Sequence, residues 1–256
     1  AEQTGADAEL IRTAARELAK AKKAAILMAY GLPYTADSRE LGIAAANLAL
    51  LAGIPGREGS GLFLCGEKAN SQGAIDLGIL PQTGGLGAQA MLESASSGQL
   101  GALYLIAEDP LTAYPNRSLV EKALDNTSFK VVQDIFLSAT AAKADVVLPA
   151  ASFAEKDGTF TNAERRIQRV RPGITSPGAA KADGEIFQAL ATKLGSSLSY
   201  TGPAAIFAEI GKHVATYGEF DFMGIGPLGV VWGGENLAPA KKVLVAAKGS
   251  APVDGE

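Results

Sequence analysis

Apolar residues recur at helical spacing near the N-terminus. Leu10, Ile11, Ala14, Ala15 and Leu18 fall on one face, with Arg12, Arg16 and Lys20 on the other. Asp7 caps this predicted helix, and Lys22 and Lys23 close it at the end that favours cations. Residues 24–30 (AAILMAY) then run apolar without alternation, the pattern of a strand buried on both faces, and Gly31 and Pro33 end it. Asp37 or Ser38 opens a second helix to about residue 52, stopped by Gly53, Pro55 and Gly56. Residues 56–87 are dense in glycine and show no period. That predicts a long loop of the kind that is functional or faces a partner. Gly84, Gly85 and Gly87 precede a helix over 88–97. No strand leads into them, so a helix-entry loop is preferred to a phosphate-cradling turn.

Further buried strands follow at 102–107, 129–132 and 145–148, with short helices over 118–124 and 138–143 between them. Strands alternating with helices at this spacing predict the α/β class: a Rossmann-like three-layer domain with a mainly parallel sheet and right-handed crossovers. The four strand ends, at Gly31, at Glu108 and Asp109, at Asp134 and after Pro149, then share one edge, where open α/β sheets place their ligands. Residues 171–180 read as a loop, Asp183 starts a helix to about 194, and Pro203 takes the first position of a helix to about 214. From Tyr217 onward, Gly, Pro and aromatic residues dominate; residues 241–247 form a last element and the terminal residues are expected to be disordered. The division is an α/β domain over 1–215 and a partly irregular extension over 216–256.

With 47% hydrophobic residues among 256, the chain has material for a large core. A net charge of −4 lacks the basic stripe of a nucleic-acid binder. No apolar run has the length of a membrane span, and the polar, acidic N-terminus lacks the apolar stretch of a signal peptide. A start at Ala1 reads as a processed or an excised chain. The single cysteine, Cys65, rules out an intramolecular disulfide and any cysteine-based zinc or iron–sulfur site built from this chain alone. Cys65 reads as a small buried hydrophobe, and His213, the only histidine, as a surface residue at a helix end.

Among polar clusters, Glu155, Lys156 and Asp157 read as a solvated turn into Gly158 rather than an acid–base set, because mixed charges beside glycine indicate exposure. Thr161 and Asn162 offer hydrogen bonds to a loop or a ligand. Arg165, Arg166 and Arg169 either bind phosphate or a partner's carboxylates, or form a salt-bridged surface strand. Asn70 and Gln72 are suited to satisfying loop backbone, and Gly73 and Gly78 to positive φ or close chain approach.

Three segments carry a family resemblance: residues 69–81 (ANSQGAIDLGILP), 131–168 (VVQDIFLSATAAKADVVLPAASFAEKDGTFTNAERRIQ) and 181–195 (KADGEIFQALATKLG). Together they resemble the third domain of the molybdopterin oxidoreductase superfamily. That superfamily includes formate dehydrogenases, nitrate reductases and the large iron–sulfur subunit of respiratory complex I (NADH-quinone oxidoreductase). The resemblance spans residues 20–215 and implies a domain that, in cofactor-bearing members, holds one of two molybdopterin guanine dinucleotides. Acidic or amide groups at strand ends read the guanine there; the matching cofactor-binding positions are Glu108, Asp109 and Asp134, with Asn162 in the same set. Guanine offers N1–H and N2–H donors, which suit a carboxylate, although strand-end acids also simply cap the next helix.

The chain departs from the family in having no cysteine cluster, no preceding domain with a metal-ligating Cys, selenocysteine or Ser, and no evident C-terminal β-barrel. Residues 31–35 (GLPYT) replace the histidine often found after the first strand, and residues 226–232 (GPLGVVW) resemble the tail of the complex I iron–sulfur subunit. The resemblance thus implies, first, the scaffolding C-terminal part of that large complex I subunit in an electron-transport assembly. It would carry no cofactor, metal or catalysis of its own. Its partners would be other complex I subunits and the N-terminal iron–sulfur domains, with no nucleic acid and no membrane insertion, and its location cytoplasmic and peripheral to the inner membrane. The alternative is the molybdopterin guanine dinucleotide-binding portion of a formate dehydrogenase-like molybdenum or tungsten oxidoreductase. A free-standing nucleotide-binding protein is a third reading.

Overall fold

The structure is a computed structural model of the chain and describes residues 4–29, 38–66, 68–79, 81 and 85–233. The chain divides into two units, one of residues 1–72, 161–166 and 231–256, the other of residues 73–160 and 167–230.

In the first unit, α1 (Ala8–Lys20) begins where the Asp7 carboxylate accepts hydrogen bonds from the Glu9 and Leu10 amides at 2.7 and 3.1 Å. β1 (Ala25–Met28) leads through α2 (Ser38–Leu51) to β2 (Gly61–Leu64), which pairs with β1 in parallel, Ala25 opposite Gly61 and Met28 opposite Leu64. Gly53 at φ 64° ends α2, and the Ile54 amide donates back to the Ala49 carbonyl at 2.9 Å. That turn seats Ile54 against Ala49 and Ala52 in a small core shared with Ile26 and Leu62. Arg57 donates to the Ala21 and Ala52 carbonyls, so one guanidinium ties the ends of both helices. The expected cap at Asp37 and the turn at 31–35 lie outside the described residues.

The second unit takes in most of α3 (Ser71–Asp76), then α4 (Ala88–Ser96), β3 (Ala102–Ile106), α5 (Pro110–Ala113), α6 (Arg117–Asn126), β4 (Phe129–Asp134) and β5 (Val146–Pro149). β3, β4 and β5 form a wholly parallel sheet in that order, with β4 in the middle. α4 and α6 supply Leu92, Ala95, Val120, Ala123 and Leu124 to a core that packs on Leu103 and Leu105 of β3. The expected helix over 138–143 is a 3₁₀ turn at Ala141–Lys143. β6 (Gly158–Thr161) and β7 (Arg166–Val170) follow, then α7 (Asp183–Lys193), α8 (Pro203–His213) and β8 (Val230–Val231), and the third sheet has the order β6–β7–β8. Pro203 opens α8 as its sequence position predicts. Phe207 of α8 packs on Tyr217 and Phe222 with ring centroids 6.0 and 5.8 Å apart. Residues 241–247 lie outside the described residues.

The class is α/β and Rossmann-like, with parallel sheets, as expected. One expectation is corrected. The four apolar runs do not all pair in one sheet: three form β3–β4–β5, while the run at 24–30 gives β1, paired with β2. β2 fell in the stretch read as loop. Its four residues, Gly61 to Leu64, are too few to show a period, and pairing with β1 is what makes them a strand. No helix among the described residues is long and apolar enough to cross a membrane.

Candidate functional site at the carboxyl edge of the parallel sheet

Because β3, β4 and β5 run parallel, their carboxyl ends open on one edge of the second unit. The chain leaves β3 through Ala107 at φ 52°, held there by its amide donating to the Gln133 carbonyl at 2.8 Å. Left-handed backbone is uncommon for a non-glycine residue and marks a turn that its surroundings impose. The turn leaves Glu108 exposed and sets Asp109 at the start of α5. Asp109 Oδ1 accepts from the Thr140 amide at 3.1 Å and from the Thr140 hydroxyl, and Oδ2 accepts from the Thr112 hydroxyl at 2.7 Å. Burial pushes this carboxyl up, but the Thr140 and Thr112 hydrogen bonds outweigh it and hold the pKa below the ordinary value. Asp109 is therefore engaged in joining the loops that follow β3 and β4.

Asp134 ends the central strand and is half-buried. Its Oδ1 accepts from the Ile135 and Phe136 amides at 2.7 and 3.4 Å, and Oδ2 accepts no hydrogen bond among the described residues. Beside it Phe136 and Leu137 are 73% and 76% exposed, and Phe153, after β5, is 66% exposed. An open carboxylate oxygen thus sits next to an apolar rim. Asn162 belongs to the first unit, where its Oδ1 accepts from the Glu164 and Arg166 amides at 2.9 and 3.1 Å and closes the turn between β6 and β7. The neighbouring Thr161 amide donates to Asn70 Oδ1 at 2.8 Å, so Asn70 satisfies loop backbone as its position predicts. Of the four predicted positions, the structure brings Glu108, Asp109 and Asp134 to one sheet edge and puts Asn162 in the other unit.

A polar chain centred on one buried residue at the same edge escaped sequence reasoning. Gln133 is fully buried in β4; it accepts from the Tyr104 hydroxyl and donates to Asp183 Oδ1 at 2.6 Å, and Asp183 Oδ2 pairs with Lys156. Burial, followed by the Asp183 charge, pushes the Tyr104 phenol above its usual pKa. This chain pins the first turn of α7 and the loop after β5 onto the sheet. Residues 155–157 are accordingly not the solvated turn expected. Glu155 accepts from the Ser152 amide, Lys156 pairs with Asp183, and Asp157 takes two bonds from Arg169 at 3.1 and 2.7 Å. The partners lie 27 and 12 residues along the chain, beyond what local charge pattern shows.

Arg169 also stacks over Phe222, 4.3 Å from the ring centroid. The Arg169 hydrogen bonds hold the Asp157 carboxyl below the ordinary range. Asp157→Ala is expected to cost about 2 kcal/mol at neutral pH, below the usual cost of breaking a buried pair because the carboxylate is partly exposed. A depressed carboxyl pKa contributes stability above the unfolded value and loses it as pH falls through the folded one. Urea unfolding of wild type and variant should therefore differ at pH 7 and converge below about pH 4.

Among the described residues no group of three or more His, Cys, Asp or Glu is placed to hold a metal ion. The molybdopterin oxidoreductase family model matches residues 1–193. The chain is 37% identical over 260 aligned residues to the F420-dependent formate dehydrogenase 2 subunit alpha of Methanococcus maripaludis, covering 91% of this chain and 38% of that protein. It is 36% identical over 255 residues to the F420-dependent formate dehydrogenase subunit alpha of Methanocaldococcus jannaschii, covering 89% and 38%. The chain thus spans well under half the length of these relatives. Acetylene hydratase from Pelobacter acetylenicus shares the fold, with a TM-score of 0.65 at 17% identity over 86% of this chain and 36% of that one. These sequence relatives are formate dehydrogenase alpha subunits, which moves the resemblance away from complex I; residues 226–232, which pointed there, are a Gly-Pro turn entering the two-residue β8. On the span of the match and the identity to these relatives, the chain belongs to the molybdopterin oxidoreductase family.

Proposed function

We propose that this chain is the part of a formate dehydrogenase-like molybdenum or tungsten oxidoreductase that holds the guanine end of a molybdopterin guanine dinucleotide. The relatives' names support the enzyme class. The observation that carries the binding role is Asp134, half-buried at the carboxyl end of the central parallel strand, with Oδ2 open beside exposed Phe136. These residues fit a guanine: the carboxylate accepts from N1–H and N2–H, and the apolar rim covers the planar base. Asp109, with both oxygens engaged, does not fit as a second reader and acts as the brace of the loop. When bound, the cofactor supplies the metal chemistry of formate oxidation. This chain's own share is binding and orientation. Asp134 fixes the base, Asp109 and Thr140 hold the strand-end loops, and the Tyr104–Gln133–Asp183–Lys156 chain keeps α7 in place. The remaining groups of the site, and the partners of the whole enzyme, come on this reading from polypeptide outside the matched span.

The test is a titration of the chain with GMP, IMP and AMP. IMP lacks the N2–H donor, and AMP turns an acceptor nitrogen toward the carboxylate. Loss of one hydrogen bond to a charged group predicts GMP binding about tenfold tighter than IMP, with AMP weakest. Equal affinity for all three would remove the reading.

A further inference from the structure

We infer that Arg165 and Trp232, in the first unit, form a binding site for a phosphoryl oxyanion. Arg165 closes the turn between β6 and β7 at φ 62°, its amide donating to the Asn162 carbonyl at 2.9 Å and its carbonyl accepting from the Trp232 amide at 3.2 Å. An arginine in left-handed backbone is disfavoured where glycine would sit freely, so the position is held at a cost. What that residue adds over glycine is its side chain: the guanidinium lies over the Trp232 ring, 5.2 Å from the centroid. Among the described residues it has no hydrogen bond and no ion pair. The nearby carboxylate in sequence, Glu164, pairs with Arg166 instead, at 3.3 Å.

Trp232 carries the second half of the observation. Its indole Nε1 is buried and, among the described residues, is the one buried side-chain nitrogen or oxygen without a hydrogen-bond partner. A buried donor without an acceptor is unfavourable, and a phenylalanine would bring the same ring face without it. Two donors therefore adjoin, one a permanent cation with a planar fork, and neither has an acceptor. The group that completes them is an anion with several oxygens, and a phosphoryl group matches the guanidinium fork and has an oxygen left for the indole N–H. The N–H is buried while Arg165 is partly exposed, so an anion from solvent meets the guanidinium first. None of this uses Asp134 or guanine.

The chain contains one tryptophan, so the indole N–H resonance reports this site alone. The whole chain is titrated with sodium pyrophosphate, with GDP, with sodium acetate, and with sodium chloride at matched ionic strength. Pyrophosphate and GDP are expected to move the indole resonance saturably, chloride and acetate not. Arg165→Gly relaxes the backbone at that turn and should keep the fold, seen as an unchanged thermal unfolding midpoint within a few degrees, while weakening the pyrophosphate response about tenfold or more. Arg165→Lys keeps the charge without the fork and should fall between the two. The inference is overturned by an indole that pyrophosphate does not move, by an equal response to acetate or chloride, by a response to GDP alone, or by a response that Arg165→Gly leaves intact. Pyrophosphate carries no base, so failure here and failure of guanine selectivity are separate results.

Discussion

Asp109→Ala is expected to lower the stability of the chain by about 3 kcal/mol in urea denaturation at neutral pH, given that each buried donor left unsatisfied costs about 1–3 kcal/mol. The carboxylate accepts from three donors at once, the Thr140 amide, the Thr140 hydroxyl and the Thr112 hydroxyl. Thr140 is only 1% exposed, so water cannot readily replace what its amide and hydroxyl lose. The Thr140 hydroxyl oxygen also accepts from the Leu111 amide at 3.3 Å, which extends the disturbance into the start of α5. Asp109→Asn should recover part of the loss, because its Oδ1 still accepts from Thr140 while its NH₂ donates to the Thr112 hydroxyl, which turns to accept. A change of less than about 0.5 kcal/mol, the range of an ordinary surface substitution, would show that Asp109 does not brace these loops.

Asp134→Ala should behave in the opposite way. The side chain bonds only the two amides that follow it, so the loss resembles that of a helix cap, about 1 kcal/mol. Its effect on ligand binding should be large. Removing an acceptor shared by guanine N1–H and N2–H predicts GMP binding weaker by about tenfold or more, with GMP and IMP becoming indistinguishable. Asp134→Asn should also fail, since its NH₂ would face the guanine donors. Together the two substitutions separate roles that the sequence presents alike. Both positions are aspartates at the ends of parallel strands, and only the hydrogen-bond partners say that one is a brace and the other is open.

That difference shows how far the sequence could be read. Apolar runs located β3, β4 and β5, which are parallel as expected, but they are not buried on both faces: Tyr104 and Ile106 of β3 and Val146 and Val147 of β5 stay exposed. Asp7 and Pro203 announced helix starts through local chemistry alone. β2 was not legible, since Gly61 to Leu64 gain their strand character from pairing with β1. Gln133 was invisible as a site residue for a related reason. A lone amide in an apolar strand reads as neutral until Tyr104 and Asp183, 29 and 50 residues away, are seen to satisfy it. Lys156 and Asp157 misled because mixed charge beside Gly158 is the pattern of an exposed turn, and their partners Asp183 and Arg169 are supplied by tertiary structure. Arg165 and Trp232 are 67 residues apart by their numbering, and no spacing rule links them.

The central claim is that the carboxyl edge of the β3–β4–β5 sheet receives a guanine through Asp134. An amide chemical-shift map of the chain titrated with GMP tests it most directly. The account predicts saturable shifts concentrated at Glu108 and at Asp134 through Leu137, and their disappearance in Asp134→Ala. Shifts elsewhere in the chain with none at this edge, or a map that Asp134→Ala leaves unchanged, would contradict it.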